Sequence, residues 1–102
     1  VRAYSFHPEA FADLNEVWEY IAQDSVTAAD RVIDDIESAL NMLASNPYAG
    51  HHRPDLNSHA LRFWVVGSYL IAYSAEDPLL VIGIFHGRRS PKIMAATLRD
   101  RE

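Results

Sequence analysis

The sequence has no cysteine and only one lysine, Lys92, among its 102 residues. The missing cysteines exclude disulfides, thiolate metal sites and a Cys nucleophile, and are compatible with a reducing compartment. No apolar run is long enough to cross a bilayer. The longest uncharged apolar-rich run, residues 63–75, is 13 residues long and is interrupted by Gly67-Ser68, where a spanning helix needs about 20. No basic flank leading into an apolar segment opens the sequence, so no secretory signal is expected and a cytoplasmic setting is. Only four glycines occur and none forms a phosphate-cradling run. Positive charge is also scarce: the net charge is −5, so general nucleic-acid binding through counterion release is not expected.

What is present is the composition of one globular domain, 1–102: 49% hydrophobic and 23% charged. The charge is unevenly placed. Residues 1–50 carry 2 Arg against 9 carboxylates, net −7, while residues 51–102 carry 7 bases against 5 acids, net +2. A local cluster of Arg88, Arg89 and Lys92 suits a carboxylate or phosphate surface.

Residues 2–6 alternate and predict a short strand. Pro8, with His7 before it and Glu9 after it, marks a helix start. The stripe Ala10, Phe11, Leu14, Val17, Trp18, Ile21 carries that helix to about Asp24, with its acids largely off the stripe. Thr27 and Asp30 have capping-box spacing for a second helix, which Asn46-Pro47 ends. Residues 47–60 read as a polar loop. Gly67-Ser68 suits a two-residue type II′ hairpin turn, setting Val66 opposite Tyr69, Trp64 opposite Ile71, and Arg62 opposite Tyr73. A third strand runs from Leu79 to His86, and a basic tail follows with a short helix near residues 92–98. The fold class is α+β, β-α-α-β-β-β, a small antiparallel sheet packed on a helical hairpin. Both faces of the sheet are mostly apolar and the hairpin covers one. The other is expected to await a partner, unless the C-terminal helix folds back over it.

Few residues suggest chemistry. His51, His52 and His59 share a loop but match no metal-ligand motif, so no metal or cofactor is expected. Isolated Gly83 marks a bulge or close packing. His86-Gly-Arg-Arg89 closes a strand, and with Arg62 and Tyr73 it holds the parts of a metal-free ribonuclease: acid, base and phosphate-binding cations.

Several segments in order carry a resemblance: residues 6–10 (Phe-His-Pro-Glu-Ala), 13–22, 28–34, 43–47 with Gly50, 53–56, 66–73, and 84–89 (Ile-Phe-His-Gly-Arg-Arg). Together the chain resembles the ParE/RelE toxin superfamily, nearest to ParE, the plasmid stabilisation proteins. The resemblance implies the toxin of a type II toxin–antitoxin pair, held inactive by a ParD-like antitoxin that itself binds operator DNA. ParE-like members trap DNA gyrase with cleaved DNA and are not catalysts. RelE-like members cut mRNA on the ribosome. The absence of a Tyr after His86, the lone lysine and the acidic balance favour the gyrase reading. On it, His86, Arg88, Arg89 and Lys92 are expected to contact the target, and Trp18, Trp64, Tyr69 and Ile71 the antitoxin. On the ribonuclease alternative, Arg62, Tyr73, His86 and Arg88 would be catalytic.

Overall fold

The computed structural model describes residues 4–57 and 60–101. Strand β1 is Tyr4–Phe6, helix α1 is Pro8–Ala22, helix α2 is Val26–Ser45, strands β2, β3 and β4 are Arg62–Val66, Tyr69–Ser74 and Leu79–His86, and helix α3 is Pro91–Arg101. Arg2 and Ala3, expected in the first strand, lie outside the described residues, as does His59.

Local chemistry sets the helix ends. The Glu9 N–H donates to His7 Nδ1 at 3.1 Å, and Pro8 fills the first helical position, where no N–H is needed. Helix α1 stops at Ala22, two residues short of the expected Asp24. The cap of α2 is Ser25 rather than Thr27: Ser25 is extended (φ −160°) and its Oγ accepts the Ala28 N–H at 3.1 Å. A hydroxyl one residue before the helix reaches that donor, whereas Thr27 already lies inside the first turn. The Trp18 indole N–H donates to Asp30 Oδ1 at 2.8 Å, tying α1 to α2.

The sheet order is β1-β4-β3-β2. The β2–β3 register is the expected one, including Arg62 opposite Tyr73. Gly67 alone has positive φ (57°) among the described residues, as a type II′ turn requires. The sheet is mixed rather than antiparallel throughout, because β1 joins β4 in parallel, Tyr4 opposite Leu79 and Phe6 opposite Val81. The β3–β4 ladder slips one residue between Ala72 and Tyr73, leaving Ile82 as a bulge. That slip reverses the facing of β4. Val81 and Ile84, three apart, face the helical hairpin, and Ile82 and Phe85 face the other way.

Both faces are therefore used. One packs Ile71, Tyr73, Val81 and Ile84 on Leu14, Ile36, Leu40 and Leu43 of α1 and α2. The other packs Phe63, Leu70, Ile82 and Phe85 under Met94 and Leu98 of α3. The expectation of a bare face awaiting a partner is corrected here. Helix α3 folds back and covers it, with Met94 and Leu98 one helical turn apart pointing at the sheet.

Candidate functional site

Strand β4 ends at His86 in a tight turn. The Gly87 N–H donates to the Ser68 carbonyl at 2.8 Å, the Arg89 N–H to the His86 carbonyl at 3.0 Å, and the Arg88 N–H to His86 Nδ1 at 3.0 Å. Since Nδ1 accepts, the neutral ring carries its proton on Nε2, leaving a donor directed away from the turn. The ring meets Tyr69 edge-on with centroids 5.3 Å apart, and the Arg89 guanidinium lies 5.6 Å over Phe85. Arg88 and Arg89 are exposed, and neither meets a carboxylate among the described residues.

The turn is a ridge between two clefts. On one side a cleft of about 390 Å³ separates it from α1, whose Glu16, Val17 and Tyr20 face Tyr69, His86, Arg88 and Arg89. Burial, and secondarily Tyr20 nearby, pushes the Tyr69 hydroxyl above its ordinary pKa. On the other side a cleft of about 490 Å³ opens between the β2–β3 turn and the start of α3, with Val65, Leu70 and Met94 below Arg53 and Arg89. Lys92 stands exposed on the first turn of α3 and lines neither cleft.

At the base of the first cleft lies an ion pair for which the sequence offers little signal. Asp13 reads as one more acid of a solvated helix face, and Arg101 as part of a basic tail. Arg101 Nη1 is 2.6 Å from Asp13 Oδ2, and the pair is nearly buried, with 8% and 13% of the side chains exposed. Arg101 also donates to the Ile82 carbonyl at 3.0 Å, and the Ile84 N–H donates to Asp13 Oδ2 at 3.1 Å. The pair bridges the two helical layers around the part of the β4 edge that short β1 leaves open. Gly83 makes this possible: a Cβ there would stand 2.6 Å from the Phe85 ring and 3.0 Å from Arg101 Nη1. The only sequence hint is that Arg101 continues the Met94–Leu98 stripe at helical spacing.

The candidate catalytic set is split. Tyr73 is wholly buried, and its hydroxyl donates to the Pro47 carbonyl at 2.7 Å while accepting from the Gly50 N–H at 2.9 Å. Burial holds its pKa above the usual tyrosine value, with the Gly50 hydrogen bond and Arg62 opposing. Arg62 donates to the Gly50 carbonyl at 2.8 Å and lies 5.0 Å over the Tyr48 ring. A Cβ on Gly50 would collide with the Tyr73 hydroxyl. Arg62 and Tyr73 thus staple the loop after α2. They sit four β3 residues from Tyr69, the partner of His86, roughly 13 Å at strand rise. His86 and Arg88 share the cleft, and Arg62 and Tyr73 do not join them.

The four expected antitoxin contacts do not form one surface. Ile71 is fully buried in the core and is set aside as a contact, since packing against the helical hairpin leaves it nothing to offer. Trp18 is half-buried with its indole committed to Asp30. Tyr69 belongs to the α1 cleft, and Trp64 lines a separate cleft of about 300 Å³ with Arg53 and Val65. His51 bridges Phe63 through two backbone hydrogen bonds at the β2 edge. Among the described residues no three His, Asp or Glu side chains are grouped to hold a metal ion, and no helix is long and apolar enough to cross a membrane.

No curated protein matches the chain. A family model described as the ParE toxin of the type II toxin–antitoxin system, parDE, matches residues 4–91. The match spans most of the chain, which belongs to that family, and the partner such a toxin has is an antitoxin.

Proposed function

We propose, from membership of the ParE toxin family, that this chain arrests DNA gyrase by trapping its complex with cleaved DNA. On this reading it acts by binding, without catalysis, and a ParD-like antitoxin neutralises it and carries the link to operator DNA. The observation that supports this reading is the separation just described. Half-buried His86 and the exposed Arg88 and Arg89 form a ridge fit for docking, while Arg62 and Tyr73 are occupied in stapling a loop. Lys92 extends the cationic surface along α3. Trp64 and Tyr69, both half-buried and each lining a cleft, are the aromatic residues through which an antitoxin segment would anchor.

The ribonuclease alternative keeps one support: His86, Arg88, Arg89 and Tyr69 do line one cleft. Purified toxin titrated into gyrase supercoiling of relaxed plasmid separates the two. The expected result is loss of supercoiling with accumulation of cleaved DNA, reversed by antitoxin. A folded, antitoxin-binding preparation that arrests growth yet leaves gyrase untouched would transfer the function to ribosome-dependent RNA cleavage.

A further inference from the structure

Strand β1 pairs with only the first part of β4. Its register ends at Phe6 opposite Val81, and the His7 N–H donates to the Val81 carbonyl. Beyond that point no strand of the described residues occupies the lane beside β4; the Asp13–Arg101 pair holds the edge at Ile82 and Ile84, and past it the α1 cleft opens alongside Ile84 and His86. The ladder decides which backbone groups face this lane. The Gly87 N–H bonds the Ser68 carbonyl across the sheet, so by alternation Phe85 also faces β3, while Ile84 and His86 turn their N–H and C=O groups outward.

Two of these four outward groups are spent. Asp13 takes the Ile84 N–H and the Arg89 N–H takes the His86 carbonyl. The Ile84 carbonyl and the His86 N–H remain. An antiparallel strand would need both groups of a single residue, Ile84 or His86, and each has already lost one. A parallel strand needs the C=O of one residue and the N–H of the residue two further on, bonded to one incoming residue between them. That is the pair left open.

We propose that this lane receives an extended segment of the target protein, running parallel to β4 as β1 does, with one residue opposite Phe85 donating to the Ile84 carbonyl and accepting from the His86 N–H. The inference rests on the gyrase reading above. Side chains alternate, so the residues flanking the paired one point into the α1 cleft. The preceding residue lands against Val17 and Ile84 and is apolar. The following one lands beside His86 and the exposed Arg88 and is acidic, since Arg88 and Arg89 meet no carboxylate of their own among the described residues. Backbone pairing supplies affinity, and the two flanking side chains supply selectivity.

The test uses the whole toxin with gyrase and plasmid DNA, and with antitoxin separately. His86→Ala removes the ring and keeps the N–H, whereas His86→Pro removes both, at an edge where an outward N–H makes proline tolerable. With both variants folded by circular dichroism, His86→Pro is expected to need at least tenfold more protein than His86→Ala to block supercoiling, with equal antitoxin affinity. In wild type, amide exchange over residues 84–87 is expected to slow at least tenfold in the toxin–gyrase–DNA complex. That second measurement decides the question if the proline variant does not fold. Equal potency of the two variants, or gyrase inhibition without slowed exchange at 84–87, overturns the docking lane and leaves the gyrase reading intact. Slowing produced by antitoxin but not by gyrase also overturns it, assigning the lane to the antitoxin. A wild-type toxin without effect on gyrase removes both.

Discussion

Asp13 and Arg101 are 88 positions apart in sequence and meet across the rim of the sheet. Their two backbone partners give the pair a fixed polarity, because the carboxylate accepts from Ile84 and the guanidinium donates to Ile82. Removing one partner of a nearly buried pair leaves an uncompensated charge, so Arg101→Met is expected to cost about 3–5 kcal/mol, read from the urea midpoint. The exchanged double variant, Asp13→Arg with Arg101→Asp, is expected to recover little of that loss. It would set a guanidinium against an N–H and a carboxylate against a C=O. A second residue-scale consequence concerns alkali. Burial raises the Tyr73 pKa, so the folded state holds that proton more tightly than the unfolded chain. Its contribution is complete below the ordinary tyrosine value of about 10 and is lost as pH rises through the raised value. Tyr73→Phe is therefore expected to show a smaller fall in stability above about pH 10, measured by denaturant midpoints across the range.

At the scale of elements, α3 begins where the family match ends, at residue 91, yet it closes one of the two cores. Leu98 is fully buried beneath it. Leu98→Ala is expected to cost about 2–5 kcal/mol, and amide exchange should rise first in α3. A uniform rise across the sheet would show that α3 is not a separately yielding unit. The elements differ in how far the sequence reveals them. Both helices of the hairpin and the β2–β3 register are readable because their signals are local: a capped apolar stripe, and a Gly-Ser turn that fixes every pair behind it. The parallel docking of β1 on β4 is not, since nothing within three residues specifies a partner so far along the chain. The coverage by α3 is half readable. Met94 and Leu98 give the stripe, but an apolar sheet face looks the same in sequence whether its cover is the chain's own helix or another protein. At the candidate site, His86, Arg88 and Arg89 stand out as a charged strand end. Glu16 and Tyr20 opposite them look like ordinary solvated helix positions, and Arg62 and Tyr73, which read in sequence as an acid–base and cation pair, are seen bonded to the loop after α2.

Over the whole molecule, the Cα radius of gyration of 13.0 Å is that of a single domain of this length. Charge is sorted between its sides, acids on the α1–α2 hairpin and Arg88, Arg89, Lys92 and Arg99 around α3. The pairing of β1 with β4 also has a consequence in time. A chain emerging from the ribosome at about 5–20 residues per second exposes Tyr4 several seconds before Leu79, its partner, exists. Through that interval the helical hairpin has no sheet to pack on, and the clefts around His86 have no walls. Loop closure over such a span places folding toward the slow end for small domains, roughly milliseconds to seconds. The cleft beside His86 is thus withheld until β4 has been made and has found β1.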